Sequence, residues 1–252
     1  MKWQFPGGGQ GGGWALALAL GVGAMGCTEE QTGLFVIGNV VINAPECIAR
    51  PEGSATLIDS GVLDVALKPD YEATLLVGSQ LAPRGDKNNL RTETMITTIT
   101  GAEVHLYTDT GAPDPNSPEF TVPANGVIMP DASADPGFGI AFATLIPAAT
   151  GIALASELNN PAEVRTRVAS VIVFGKTIGG LEVETAPFSY VIRVCEGCLV
   201  DFPAVAVNGE GQCFSSTMDA PVAPCRVGQD NSVDCRICSG SNPYCAIPGG
   251  VL

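Results

Sequence analysis

Histidine is almost absent from this chain, which has one, His105, among its 252 residues. Zinc sites built from several histidines, and helical His-x-x-x-His pairs, are therefore excluded. A Ser-His-Asp triad would need a recognisable serine nucleophile, and the Gly-x-Ser-x-Gly elbow that presents one does not occur. A single histidine on a strand of alternating residues is typical of the surface or its boundary, so the sequence predicts no histidine-based catalysis.

Basic residues are also scarce, because 12 lysines and arginines stand against 26 aspartates and glutamates, giving a net charge of −14. This charge repels a phosphate backbone, so nucleic acid is excluded as a partner. The carboxylates are spread along the chain rather than gathered in blocks, which is typical of a solvated surface. They show no paired spacing that indicates acid–base catalysis, although a secreted hydrolase whose catalytic carboxylates are not revealed by their spacing in the sequence stays an alternative.

No apolar run is long enough to span a membrane. The longest begins at Trp14 and ends at Gly26, directly before Cys27. A helix of that length rises roughly 20 Å, against the ~30 Å of a bilayer core. The run does match the apolar core of a signal peptide, with Lys2 as the positive charge ahead of it. The sequence therefore predicts a signal peptide over residues 1–26 and export of the remaining chain.

The end of this run carries a family resemblance. Ala24-Met25-Gly26-Cys27 resembles the signals of bacterial lipoproteins, and the chain as a whole resembles uncharacterised cysteine-rich Gram-negative lipoproteins. The resemblance implies that Cys27 is acylated, becomes the new N-terminus and anchors the protein in the outer membrane, facing the periplasm or the cell surface. Thr28 resembles the residue that sorts such proteins to the outer membrane. Residues 27–33 are then a short polar tether.

Nine cysteines are present, and setting Cys27 aside for the lipid leaves eight, an even number that allows four disulfides. Cys47 stands alone near the start, while seven cysteines lie at or beyond residue 195. If every cysteine is paired, one of these seven must reach back to Cys47. The disulfide candidates are Cys47, Cys195, Cys198, Cys213, Cys225, Cys235, Cys238 and Cys245.

A metal site is the alternative use of these cysteines. Cys195-x-x-Cys198 and Cys235-x-x-Cys238 resemble the ligand pairs of a zinc ribbon or a rubredoxin-type iron site, although 36 residues separate them. A thioredoxin-like redox role is opposed at the first pair by Glu196, because a neighbouring negative charge disfavours a thiolate. An oxidising compartment favours disulfides over a zinc or iron site with four cysteine ligands.

About eight strands are predicted, separated by turn residues and without alternating long helices. They cover 34–42, 54–67 (broken at Asp59-Ser60-Gly61), 71–81, 91–100, 103–108, 138–146, 164–176 and 181–194, with a short helix at 149–158 and a helical alternative at 138–146. This pattern predicts an all-β fold, an antiparallel β-sandwich of the immunoglobulin-like class over residues 34–198.

Residues 109–137 contain six prolines and are predicted to form a long irregular loop. Loops of this length in a compact domain are usually functional or disordered, so a binding surface is expected here. Its aspartates are typical of a solvated surface, and calcium binding is an alternative, although they lack the spacing of a calcium-binding loop. The four candidates are Asp109, Asp114, Asp131 and Asp135.

Residues 199–252 have a different character, with five cysteines and little periodic apolar pattern. Such a segment buries too little apolar surface to offset its chain entropy, so crosslinks must stabilise it. We expect an irregular, disulfide-rich tail docked on the sandwich. Together these features predict a lipid-anchored envelope protein without a cofactor. Its expected role is binding or structural, toward an unidentified protein or glycan.

Overall fold

The computed structural model describes residues 33–86, 88, 90–131, 136–158, 163–213, 221–238 and 242–245. The predicted signal peptide, Cys27 and all of the tether except Gly33 lie outside these residues. Within the described ranges, no helix is long and apolar enough to cross a membrane.

Twelve strands and one α-helix form the described part of the chain. The strands are β1 Leu34–Val40, β2 Leu57–Ile58, β3 Ser60–Asp64, β4 Tyr71–Ser79, β5 Thr97–Thr108, β6 Glu119–Ile128, β7 Gly137–Ile146, β8 Arg165–Thr177, β9 Glu182–Glu184, β10 Phe188–Cys195, β11 Val200–Asp201 and β12 Val233–Asp234. The helix, α1, spans Ala148–Glu157 and begins directly after Pro147, whose fixed φ suits a helix start.

Strands β1–β10 form one sheet in the order β2-β1-β4-β7-β6-β5-β8-β10-β3, with β9 paired to β8. The two ends of this order are β2 and β3, which only Asp59 separates in the sequence. The Cα atoms of Ile58 and Ser60 are at most about 7 Å apart, so the two ends of the sheet order must meet. The sheet is therefore curled into a nearly closed barrel.

The β-rich fold and the disulfide-rich C-terminal segment are confirmed, but the strands form one large, nearly barrel-shaped sheet and not a clear two-sheet sandwich. Neither is the sheet purely antiparallel, because β10 pairs with β3 in parallel, for example Ile192 with Gly61. Alternating residues indicate which side chains face the interior, but they do not say which strands are neighbours. The sequence predicted the break at Asp59. It did not predict that Asp59 connects the strands at the two ends of one sheet.

The barrel interior is filled by side chains at alternate positions along the strands. On β8 these include Val171 and Val173, and on β10 they include Ile192 and Val194, all of which are fully buried. The predicted alternation of β10 is thus confirmed, as are the strand rather than the helix at 137–146 and the helix at 148–157. Residues 91–96, predicted as strand, lie outside β5.

The predicted irregular stretch 109–137 is interrupted by a ten-residue strand, β6, so that prediction is wrong in its middle part. Phe120, Val122 and Ala124 are more buried than the residues between them, which gives the strand its core-facing side. Pro123 is exposed and pairs with Gly101 where the β5–β6 register shifts. A proline is tolerated where a ladder is irregular, and for this reason it did not end the strand.

The C-terminal segment contacts the barrel along β3. The Asp64 amide donates to the Gly228 carbonyl, and the Asp230 amide donates to the Val62 carbonyl. Farther along, the Asn242 side chain donates to the Ala66 carbonyl over 2.7 Å. The strands β11 and β12 pair with each other in parallel rather than joining the barrel sheet.

Candidate functional site

Four disulfides join all eight of the cysteines predicted to pair. They are Cys47–Cys225, Cys195–Cys198, Cys213–Cys235 and Cys238–Cys245. The predicted bridge back to Cys47 is confirmed, and it spans 178 positions of the sequence. It links the segment after β1 to the part of the tail that contacts β3.

The alternative metal site with four cysteine ligands does not form. Cys195 and Cys198 are bonded to each other, whereas Cys235 is bonded to Cys213 and Cys238 to Cys245. The two Cys-x-x-Cys pairs therefore belong to three separate bridges. In the first pair, the spacing closes a local bridge between Cys195 and Cys198. In the second pair, a turn separates Cys235 and Cys238, which belong to two different bridges.

A buried carboxylate lies beside the Cys195–Cys198 bridge. One oxygen of Asp64 and the two sulfurs all lie within 4.8 Å of one another. Asp64 Oδ1 accepts the amide of Gly197 at 2.7 Å, and Oδ2 accepts the amide of Leu199 at 2.9 Å. Burial raises the pKa of Asp64, although its backbone hydrogen bonds act in the opposite direction.

A second buried polar cluster lies where the two ends of the sheet meet. The side-chain amide of Asn39, on β1, donates to the hydroxyls of Tyr71 at 3.1 Å and Tyr190 at 2.9 Å. The two hydroxyls are 3.1 Å apart, and Tyr71 also donates to the carboxylate of Asp230. Three strands and the tail thus share one hydrogen-bond network inside the barrel.

Burial dominates the electrostatics of this cluster. It raises the pKa of Asp230 above the usual aspartate range, against hydrogen bonds from Val62, Gln229 and Tyr71. Burial also raises the pKa of the Tyr71 hydroxyl, and the neighbouring Asp230 carboxylate adds to that effect. Tyr71 therefore remains a hydrogen-bond donor, and the cluster holds the tail against the barrel.

Asp114 is used structurally rather than as a calcium ligand. Its Oδ2 lies 2.6 Å from Nε of Arg167, and both side chains are almost fully buried. Its Oδ1 accepts the amides of Asn116 and Ser117. Glu157, at the end of α1, is the second partner of Arg167 at 3.2 Å. The calcium prediction is therefore wrong for Asp114, because an arginine neutralises the carboxylate and fills its coordination positions.

Two of the other three candidate aspartates, Asp109 and Asp131, are described, and neither belongs to a metal-ligating group with Asp114. Asp109 is exposed at the end of the β5 hairpin, and Asp131 is exposed and already has an interaction partner. Asp135 lies outside the described residues. In the described part of the chain, the groups with metal-ligating geometry do not include any of these side chains.

His105 lies at the boundary of the barrel surface, as predicted. It faces Glu119 across the β5–β6 pair, and its Nε2 is 2.6 Å from Oε1 of Glu103. The three residues offer one ligand atom each within 4.8 Å. A nitrogen and two carboxylates are a donor set that divalent transition metals accept, although all three side chains are partly exposed.

A groove of about 570 Å³ beside β8 and β9 contains two carboxylates, as a hydrolase would require. Its lining includes Phe174, Lys176, Glu182 and Glu184. Glu182 lies 3.8 Å from the Lys176 ammonium, and both glutamates are exposed. Because both side chains are solvent-exposed and, in the described part of the chain, only Glu182 has a neighbouring cation, the groove does not assign one glutamate the acid role and the other the base role. The hydrolase alternative stays a prediction.

No family model, curated protein or solved structure matches this chain. Three residues that organise the two buried clusters, Asp64, Tyr71 and Asp230, were not predicted as site residues from the sequence. Asp64 ends a strand and Asp230 lies in the non-periodic tail, positions where an acidic residue is ordinarily a solvated one. No local pattern in the sequence showed that distant strands would meet here.

Proposed function

We propose that this chain is exported and anchored in the outer membrane by acyl chains on Cys27, with its barrel serving a binding or structural role. The observation that carries the proposal is the complete pairing of the eight cysteines beyond Cys27. Structural disulfides accumulate in oxidising compartments, and cytosolic thiols are kept reduced. Because these eight cysteines pair with one another, the ninth, Cys27, is left for a different use, which agrees with acylation.

The N-terminal sequence supports the same location. Ala24-Met25-Gly26-Cys27 follows an apolar segment of signal-peptide length, and residues 28–33 are polar. An anchored protein of this kind needs a module that stays folded outside the cytoplasm. A nearly closed barrel with disulfide bridges in its tail suits that location, because a sheet that curls on itself exposes less unpaired edge and the tail is crosslinked.

The two carboxylates in the groove beside β8 and β9 are both exposed and have no assigned acid and base roles, so a binding or structural role is preferred to hydrolysis. The partner is expected to be another envelope protein or a glycan. A strongly acidic surface favours a partner that is not itself polyanionic, because like charges repel at close range.

The anchor is tested by expressing residues 1–252 in a Gram-negative host and weighing the mature protein by mass spectrometry. We expect an N-terminus at Cys27, a diacylglyceryl mass on that residue and four disulfides elsewhere. Cys27→Ser should leave the precursor unprocessed, whereas the control Cys213→Ser should be processed and acylated normally. A full-length product in the cytosolic fraction, beginning at Met1 and with reactive thiols, would overturn the proposal.

A further inference from the structure

The Cys195–Cys198 bridge differs from the other three disulfides in what it constrains. Its cysteines are 3 positions apart, against 178, 22 and 7 for the others. A bridge restricts the unfolded chain less as the loop that it closes becomes shorter. As a staple of the fold, this bridge therefore contributes the least of the four.

The two sulfurs of this bridge have different environments. Cys195 ends β10 and is 1% exposed, whereas Cys198 lies in the following turn and is exposed. Thiol–disulfide exchange proceeds by attack of a thiolate on one sulfur, and access decides which one. An external thiolate can therefore approach Cys198, while Cys195 becomes the leaving sulfur inside the protein.

The surroundings of the buried sulfur, Cys195 Sγ, can accept a hydrogen bond from its reduced thiol. Cys195 Sγ lies 3.6 Å from the Leu63 carbonyl oxygen, to which a reduced thiol would donate. A carboxylate oxygen of Asp64 lies within 4.8 Å of both sulfurs. Asp64 also holds the amides of Gly197 and Leu199, on either side of Cys198, so the turn keeps its shape when the S–S bond opens.

We propose that Cys195–Cys198 is a thiol–disulfide exchange site that oxidises a pair of cysteine thiols in another protein. In the first step, a partner thiolate bonds to Cys198 Sγ, the S–S bond breaks, and Cys195 leaves with the electron pair and takes a proton from the Asp64 carboxyl. In the second step, the partner's other thiolate attacks the mixed disulfide and releases Cys198, which is protonated from solvent. Two electrons pass to the chain, and the partner gains a disulfide.

Glu196, whose negative charge opposed a redox role at the level of sequence, has a hydrogen-bond partner in the structure. The Tyr244 hydroxyl hydrogen-bonds the Glu196 carboxylate, and the Tyr244 ring packs over Gly197. The sulfur open to attack is Cys198 and not Cys195. Burial raises the pKa of Asp64, which favours the protonated carboxyl more than at an exposed aspartate, and its oxygen lies within 4.8 Å of the Cys195 sulfur. The proposal does not depend on the lipid anchor.

The first test is partial reduction of the full chain, purified with its disulfides intact. The oxidised protein is treated with dithiothreitol for increasing times, alkylated with iodoacetamide and mapped by mass spectrometry. We expect Cys195 and Cys198 to be alkylated at least about tenfold faster than the other six cysteines, with the circular dichroism unchanged. Reduction of another bridge first, or loss of the fold together with this bridge, would overturn the proposal.

The second test separates the two sulfurs with matched variants and oxidised glutathione as the probe. Cys195→Ala leaves Cys198 as the free thiol, and Cys198→Ala leaves Cys195. We expect the first variant to form a mixed disulfide at least about tenfold faster than the second, because Cys198 is exposed and Cys195 is buried. Equal rates, or faster reaction of the Cys198→Ala variant, would contradict the assignment.

The role of Asp64 needs a measurement that distinguishes proton transfer from support of the turn. Asp64→Asn should slow reduction of the intact bridge at least about fivefold. In the Cys195→Ala background, the same substitution should leave mixed-disulfide formation at Cys198 unchanged, because no thiol leaves at position 195. Slowing of both reactions would show that Asp64 only maintains the turn and would remove proton transfer from the proposal.

Discussion

Tyr71 and Asp230 are 159 positions apart in the sequence, yet the Tyr71 hydroxyl lies 3.0 Å from each oxygen of the Asp230 carboxylate. Tyr71 begins β4 inside the barrel, and Asp230 belongs to the C-terminal tail. Asp230 also accepts the backbone amide of Val62, on β3, at 2.9 Å. The tail thus completes the hydrogen bonding of the barrel where the ends of its sheet meet, so the two are expected to unfold together.

The pH dependence of stability follows from the buried Asp230 carboxyl. Because burial raises its folded-state pKa above the unfolded value, the folded protein binds this proton more tightly. Its contribution to the free energy of unfolding is fully present below the unfolded pKa of about 3.9 and is lost as the pH rises through the raised folded value. Asp64 has the same sign.

Asp230→Asn removes this titration while keeping a similar shape. In urea unfolding between pH 3 and pH 8, we expect the wild-type free energy of unfolding to fall relative to that of the variant as the pH rises. Asp64 is present in both proteins, so its contribution cancels in the difference. A difference that stays constant or changes in the opposite direction would contradict the raised pKa.

Gly61 is predicted to tolerate no side chain. A Cβ built there would lie 2.3 Å from the Tyr71 hydroxyl, which its hydrogen bonds hold in place. Gly61→Ala should therefore lower the free energy of unfolding by about 1–3 kcal/mol. The matched control is Gly209→Ala, where a Cβ meets nothing within 4 Å, and a change within about 0.5 kcal/mol is expected. Equal effects of the two substitutions in urea denaturation would rule out the steric explanation.

Arg167→Met is predicted to be strongly destabilising because it leaves the buried Asp114 carboxylate without its arginine. Removing one partner of a buried ion pair costs about 3–5 kcal/mol. Lys176→Met serves as the control, since the Lys176–Glu182 pair is largely exposed and such pairs contribute at most about 1 kcal/mol. Thermal and denaturant unfolding of both variants would reveal the difference, and a mild effect of Arg167→Met would show that Asp114 has access to water.

The Cys47–Cys225 bridge is predicted to be the most stabilising of the four. Its loop of 178 positions corresponds to about 5 kcal/mol in the chain-entropy model, against about 2.5 kcal/mol for the 7 positions of Cys238–Cys245. Paired alanine substitutions, Cys47→Ala with Cys225→Ala and Cys238→Ala with Cys245→Ala, compare the two by urea denaturation. A larger loss from the second pair would contradict the loop-length argument.

Much of the local structure could be predicted from single stretches of the chain. The strands near 34–42, 71–81 and 164–176 follow from β-branched residues and alternation, and the break at Asp59 from its turn residues. The bridge to Cys47 followed from counting cysteines. The strand at 119–128 was missed because its proline and glycine concealed a weak alternation, and only pairing with its neighbours, chiefly β5, stabilises it.

The sequence by itself determined that this chain is β-rich, acidic and crosslinked. Charge and cysteine parity are totals over the whole chain, and strand alternation is a pattern within short segments, so none of them depends on which distant segments become neighbours. Only the tertiary structure decided that one sheet closes on itself, that Asp114 pairs with Arg167, and that Asp64 and Asp230 are buried. These depend on which distant segments become neighbours. In a sheet, that choice is made by the packing of all strands together and by the loops that join them, and no local pattern records it.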